Sequence, residues 1–120
     1  MTRVDHITLP VKDWRASRDW YIANLGFRLA ADMPEQMTAA VRDDGEFTLF
    51  FVSADVPSCP GLSFTLDVED VHAVHQRLTQ RGAAFEHGPQ AMDWGYGAEL
   101  RDLNGYSLRI RGKAQGAANG

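Results

Sequence analysis

Residues 6–14 read HITLPVKDW, and residues 63–71 read SFTLDVEDV. Set one above the other, they share Thr8 with Thr65, Leu9 with Leu66, Val11 with Val68 and Asp13 with Asp70; Ile7 meets Phe64, also apolar. Apolar residues alternate with others in both, as in a strand that buries one face. The closing aspartate suits a helix N-cap, whose carboxylate accepts from the free amides of the first turn. Pro10 cannot donate to a ladder, so it marks an edge or the end of its strand. The leading pair breaks the match, because His6 stands against Ser63.

Outward from the first copy, Trp14, Ser17, Tyr21 and Leu25 follow at helical spacing with Trp20 beside them, and Gly26 closes the helix. Three strands are expected next, over Phe27–Met33, Met37–Arg42 and Glu46–Ser53, with Asp43-Asp44-Gly45 as a hairpin. The second copy repeats the plan. A strand spans Leu62–Val68, and a helix carries Val71, Val74 and Leu78 and ends at Gly82. Strands then begin at Phe85 and span Tyr96–Asp102 and Tyr106–Arg111. Shared strand–cap–helix grammar explains part of such a match, but both halves go on to three further strands in the same order. The expected fold class is therefore α+β: two βαβββ modules of about 55 residues that bury a shared core. They occupy residues 3–55 and 61–111 of a single domain, each burying one sheet face under its helix, and together they form a cupped mixed sheet. The segment GKAQGAANG, residues 112–120, reads as a flexible tail.

The totals bound the function. A chain of 120 residues with 44% apolar content supports one core, and a net charge of −4 is mild. No basic run interleaved with aromatics is present, so nucleic acid is a poor partner. No stretch reaches the roughly 18 apolar residues of a membrane span. The start, MTRVDHITL, lacks the apolar run of a secretory signal. Cys59 is the one cysteine and no CxxC is present, which fits a reducing, cytoplasmic setting.

The segment ELRDLNGYSLR permits a sharper reading. With Asp102 opening a turn, Leu103 and Asn104 at its centre and Gly105 in the left-handed conformation, the hairpin has three loop residues and a bulge. Asp102 then pairs with Tyr106, Leu100 with Leu108, and Ala98 with Ile110, which builds an apolar face for the helix. The other face sets Arg101 against Ser107 and Glu99 against Arg109, an opposite-charge pair. A two-residue Asn-Gly turn would mix the faces. The Glu99–Arg109 pair is either part of a binding cleft or a structural ion pair on an open sheet face.

Trp94 and Tyr96, in MDWGYG, suit stacking on a flat ligand or packing on the protein's own sheet. Phe50 and Val52 would make an apolar floor if they face a cleft. His72, His75 and His87 read as solvated helix or loop residues, and the HAVH pair has no third ligand in view. Cys59 has no adjacent base to make it a nucleophile.

The residues DHITLPVKD, WYIANLGF, VEDVHAVHQRLTQRGAAF and RDLNGYSLRI, taken in order, resemble the vicinal oxygen chelate superfamily of glyoxalases, extradiol dioxygenases and bleomycin-resistance proteins. The resemblance runs from Val4 to about Arg111. It implies paired βαβββ modules around a cupped sheet. In the family's metalloenzymes it also implies a His or Glu ligand from the first and last strand of each module. The first strands offer His6, a match, and Ser63, a mismatch. The last strands offer Thr48, or Leu49 if the register shifts by one, and Arg109, a cation in place of a ligand. Glu46, two residues before Thr48, is the nearby carboxylate.

A catalytic metal commonly takes at least three protein ligands, and a guanidinium offers no acceptor. No metal and no cofactor are therefore expected. The resemblance is strongest in character to the metal-free bleomycin-resistance-like binding proteins. It implies a homodimer that sequesters a planar or aromatic small molecule, an antibiotic or an aromatic metabolite, in a cleft at the subunit interface. The expected ligand-binding residues are His6, Thr48, Phe50, Ser63, Trp94, Tyr96, Glu99 and Arg109. Two alternatives stay open. One is a lyase, isomerase or oxygenase using His6 and Glu46 at an atypical metal site, or His6 and Glu99 in acid–base catalysis. The other is a domain that only associates with other proteins.

Overall fold

In the computed structural model, which describes residues 1–55, 59 and 61–113, the alternation of Ile7, Leu9 and Val11 becomes β1 (His6–Val11). Leu9 and Val11 are buried. Asp13 caps α1 (Trp14–Leu25), its carboxylate accepting from the amides of Arg15 at 2.9 Å and Ala16 at 3.3 Å. Gly26 ends the helix at φ 72°, a conformation in which a side chain would be strained. Trp14, Ser17 and Tyr21 are buried as their spacing predicts, but Asn24 rather than Leu25 completes the buried stripe. Asn24 meets its polar needs locally, its side-chain amide donating to the Trp20 carbonyl at 3.0 Å.

Three strands follow: β2 (Arg28–Met33), β3 (Thr38–Arg42) and β4 (Thr48–Ser53). A short 3-10 turn, Pro34–Gln36, lies between β2 and β3 and leaves Met37 at φ 53° outside the strand. The expected third strand is shorter than its sequence suggests. Phe47 lies before β4 and is exposed, while the Asp43 carboxylate accepts from the amides of Gly45 and Phe47 to close the turn. The sheet order is β1-β4-β3-β2, with β1 and β4 parallel and the other pairs antiparallel. Leu49 and Phe51 are buried on the side of Tyr21, whose ring packs at a tilt 4.8 Å from that of Phe51. Thr48, Phe50 and Val52 therefore point to the opposite face.

The second half is built alike. Strand β5 (Ser63–Asp70) runs into α2 (Val71–Gln80), and Asp70 caps the helix by accepting from the Ala73 amide. Strands β6 (Ala84–Met92), β7 (Gly95–Arg101) and β8 (Ser107–Lys113) complete a sheet ordered β5-β8-β7-β6. The β7–β8 register sets Glu99 opposite Arg109, Leu100 opposite Leu108 and Ala98 opposite Ile110, as the three-residue turn requires. Gly105 sits at φ 89°. Gly112 and Lys113 belong to β8, so the expected tail would begin later; residues 114–120 lie outside the described residues.

The architecture is thus α+β, with two βαβββ modules that each hold a four-stranded mixed sheet and one helix. The chain divides into two compact units, Met1–Cys59 and Pro60–Gly120.

The duplication extends to an irregularity. In β2, Leu29 pairs with Val41 and Ala31 with Ala40, which leaves Ala30 as an extra residue. In β6, Phe85 pairs with Leu100 and His87 with Glu99, which leaves Glu86 as the extra residue. Such a bulge reverses the alternation beyond it and re-aims the next side chain. Phe85 turns toward α2, its ring 4.5 Å from that of His75. His87 turns to the other face.

Candidate functional site: two open sheet faces

In the first unit, the face away from α1 carries His6, Thr48, Phe50 and Val52. The His6 ring lies 4.4 Å from that of Phe50, and its Nδ1 meets the Asp5 carboxylate at 3.0 Å. The hydrogen bond from His6, joined by the charges of His6, Arg3 and Arg42, holds the Asp5 carboxyl below the ordinary carboxylate range. Thr48 is buried, and its hydroxyl is engaged on both sides. It accepts from Arg42 Nε at 3.0 Å and donates to the Glu46 carbonyl at 3.3 Å. The Glu46 carboxylate, considered above as a partner for His6, instead lies 3.6 Å from Arg3 outside the strand. The register around Thr48 is settled, since Leu49 is buried and Thr48 pairs with His6 across β1 and β4.

In the second unit, the face away from α2 is polar. Ser107 Oγ donates to Glu99 Oε2 at 2.5 Å. The other carboxylate oxygen, Oε1, lies 4.0 Å from Arg109 Nε and 3.8 Å from His87 Nε2. Both distances exceed hydrogen-bond reach. The Arg109 guanidinium stands 5.1 Å over the Trp94 ring. Trp94 is held there because Gly97 has no side chain; a Cβ on Gly97 would come within 2.9 Å of the indole. Ser63 is exposed and pairs with Ser107 across the parallel β5–β8 ladder.

Two expectations are corrected. Tyr96, grouped above with Trp94 as a ligand-binding aromatic, does not share a face with it. Residues 93 and 94 form the turn, and Tyr96 lies within β7 on the face of Ala98 and Leu100, because strand alternation puts it there. Its hydroxyl is hydrogen-bonded to His72 Nε2 at 2.6 Å. Tyr96 lines a separate groove of about 590 Å³ with Asp67, Glu69, Arg111 and Lys113. The second correction concerns the histidines. His72 is partly buried against Tyr96, and His87 joins Glu99 through the bulge at Glu86.

The ladder registers also revise the correspondence between the modules. His6 pairs with Thr48 and Ser63 with Ser107; Thr8 pairs with Phe50 and Thr65 with Arg109. Arg109 is therefore the counterpart of Phe50, not of Thr48. By the same logic Ala40 and Ala31 correspond to Glu99 and His87. Where one unit places Ala31, Ala40 and Phe50, the other places His87, Glu99 and Arg109. One open face is apolar and the other carries the charge.

This set does not fit a divalent ion. The first- and last-strand positions supply one imidazole, neutral hydroxyls, a phenyl ring and a fixed cation, and a guanidinium cannot ligate. Among the described residues, no group of three or more His, Cys, Asp or Glu is placed to hold a metal. Among them, too, no helix is long and apolar enough to cross a membrane.

Residues 3–110 match the sequence model of the Glyoxalase/Bleomycin resistance protein/Dioxygenase superfamily. No curated protein matches the chain. Among solved structures, the chain is similar to TnmS3, an antibiotic binding protein from Streptomyces sp. CB03234, at 28% identity and a TM-score of 0.81, covering 95% of this chain and 98% of that one. A glyoxalase/bleomycin resistance protein from the same organism is similar at 29% identity and a TM-score of 0.71, over 88% of this chain and 96% of that one. A superfamily member from Sphaerobacter thermophilus DSM 20745 shares the fold at 22% identity, with a TM-score of 0.79 over 94% and 98% of the two chains.

Proposed function

The chain belongs to the Glyoxalase/Bleomycin resistance protein/Dioxygenase superfamily, and on that premise we propose that it binds a planar or aromatic small molecule without metal or cofactor and sequesters it, as a resistance protein does. The observation that carries this reading is the Arg109 guanidinium over Trp94 beside Glu99 on an open sheet face. This cation–aromatic stack is partly exposed and can extend to a further flat ring, because the guanidinium and the indole both offer planar surfaces. The similarity to an antibiotic binding protein over nearly the whole chain supports the same class of ligand. His6, Phe50, Ser63, Trp94, Glu99 and Arg109 are the ligand-binding residues in this reading. Thr48 and Tyr96 support them, the one by positioning Arg42 and the other by packing on α2. The protein is a cytoplasmic homodimer.

Calorimetric titration of the purified chain with flat polycyclic antibiotics tests this, with non-planar antibiotics of similar mass as controls. Stoichiometric binding of the flat compounds, unchanged by EDTA, is the expected result. Equal or absent heats for both sets overturn the reading. Light scattering at micromolar concentration is expected to show a dimer.

A further inference from the structure

Three arginines project from β7 and β8, and two of them are engaged within the unit. Arg101 donates from Nε to Glu86 Oε1 at 3.0 Å and from Nη1 to the Gly105 carbonyl at 3.1 Å. Arg111 holds one Asp67 oxygen from Nε and Nη2, both at 2.9 Å. Arg109 differs. Its Nε is enclosed, but its two terminal amino groups are not, and about a third of the side chain is exposed. Neither terminal group has a hydrogen-bond partner among the described residues. Glu99 makes its closest approach at Nε, 4.0 Å away, so the terminal groups lie farther from that carboxylate still. Trp94 lies under the guanidinium, 5.1 Å from Cζ to the ring centroid. The edge formed by Nη1 and Nη2 is therefore open and unspent.

Such an edge is a fork of parallel N–H donors with no acceptor and a fixed positive charge. Its complement is a planar group with two acceptor oxygens and one negative charge. A carboxylate has that form and pairs with the fork through two charge-assisted hydrogen bonds. An ammonium is repelled and has no lone pair to offer. A neutral amide or ketone supplies an acceptor without the charge. A phosphate monoester carries a charge of about −1.5 to −2, which one guanidinium does not neutralise, and Arg101 and Arg111 are already engaged. Packing on Trp94 and the charge of Glu99 on the Nε side restrict the guanidinium beforehand, so less freedom is lost when a ligand binds. We infer that the Arg109 fork is a receptor for one carboxylate, and that the ligand of this face is an aromatic acid rather than a neutral ring.

This rests on the small-molecule reading above, and the test separates the two. The probes are 2-naphthoate, 2-naphthamide and 2-naphthyl phosphate, which share the ring and differ in the group it carries. Calorimetry on the unaltered protein at neutral pH is expected to show 2-naphthoate binding about tenfold or more tightly than the amide, the scale of hydrogen bonds to a charged group. The phosphate is expected to bind no more tightly than the acid. In Arg109→Gln the preference for acid over amide is expected to fall below about threefold. The guanidinium 15N resonances of Arg109 in the unaltered protein provide a readout independent of any variant's folding. A ligand that holds both terminal groups hinders rotation of the guanidinium, so separate Nη1 and Nη2 signals are expected with 2-naphthoate and not with the amide. Equal affinities for acid and amide, a tighter phosphate, a preference that survives Arg109→Gln, or Arg109 signals unmoved by bound 2-naphthoate each overturn the carboxylate receptor and leave flat-ring binding standing. Failure of all three probes to bind overturns both.

Discussion

Glu99 and Arg109 stand directly opposite each other across the β7–β8 ladder, 4.0 Å apart at their nearest polar atoms, while Ser107 holds the far carboxylate oxygen. The pair is loose and partly solvated, with about a third of the Arg109 side chain exposed. Screening by water therefore limits what it contributes to folding. A double-mutant cycle with Glu99→Gln and Arg109→Met, read by urea unfolding, is expected to give a coupling of about 0.2–1 kcal/mol. The same substitutions are expected to abolish retention of a flat ligand. A coupling well above that range would mark a structural ion pair and remove the reason to place a ligand there.

Tyr96 makes the opposite prediction. Its hydroxyl is bonded to His72 at 2.6 Å in a partly buried contact between β7 and α2. Tyr96→Phe strands the imidazole nitrogen, at a cost of about 1–2 kcal/mol. Thermal or urea unfolding checks this. Ligand affinity measured at the Trp94 face is expected to change little, because Tyr96 points to the other side of the sheet.

Gly97 is where the sheet and the aromatic platform meet. A methyl group there would come within 2.0 Å of the Ile110 carbonyl oxygen and 2.9 Å of the Trp94 ring. The first contact is with backbone, which cannot rotate away, so β7 and β8 must separate. Gly97→Ala is expected to destabilise by about 1–3 kcal/mol and to displace Trp94, seen as a change in near-ultraviolet circular dichroism. An unchanged spectrum and unchanged stability would mean that Trp94 is not seated against Gly97.

The parts of this structure that were legible in the sequence are those set locally. Asp13 and Asp70 cap helices because a side-chain oxygen must meet the first free amides, and that need recurs at the same place in both copies. The Glu99–Arg109 register followed from turn chemistry and alternation alone. The position of Tyr96 was also readable. Tyr96, Ala98 and Leu100 alternate within one strand, which puts the tyrosine on the helix face. The placement of His87 was not readable. Phe85-Glu86-His87 looks like regular strand, and the extra residue is defined only by what β7 sets opposite it. The one available signal was the duplication, in which Ala30 has the same role as Glu86. The metal positions were misaligned for a similar reason, since the counterpart of Arg109 is fixed by two parallel ladders far apart in sequence.

Asp5 and His6 give a prediction in pH. The hydrogen bond from His6 keeps the exposed Asp5 carboxyl below the ordinary carboxylate range, helped by the charges of His6, Arg3 and Arg42. A carboxyl whose folded value lies below its unfolded one adds stability above the unfolded value and loses it as the pH falls through the folded value. The Asp5 contribution is therefore present at neutral pH and disappears only in the strongly acid range. Carboxyl 13C titration is expected to show Asp5 ionising below an ordinary aspartate, and His6→Ala is expected to move it upward toward the ordinary value. If Asp5 titrates identically in both proteins, the His6 ring is not held by Asp5, and its tilted packing 4.4 Å from Phe50 must be maintained by the ring contact alone.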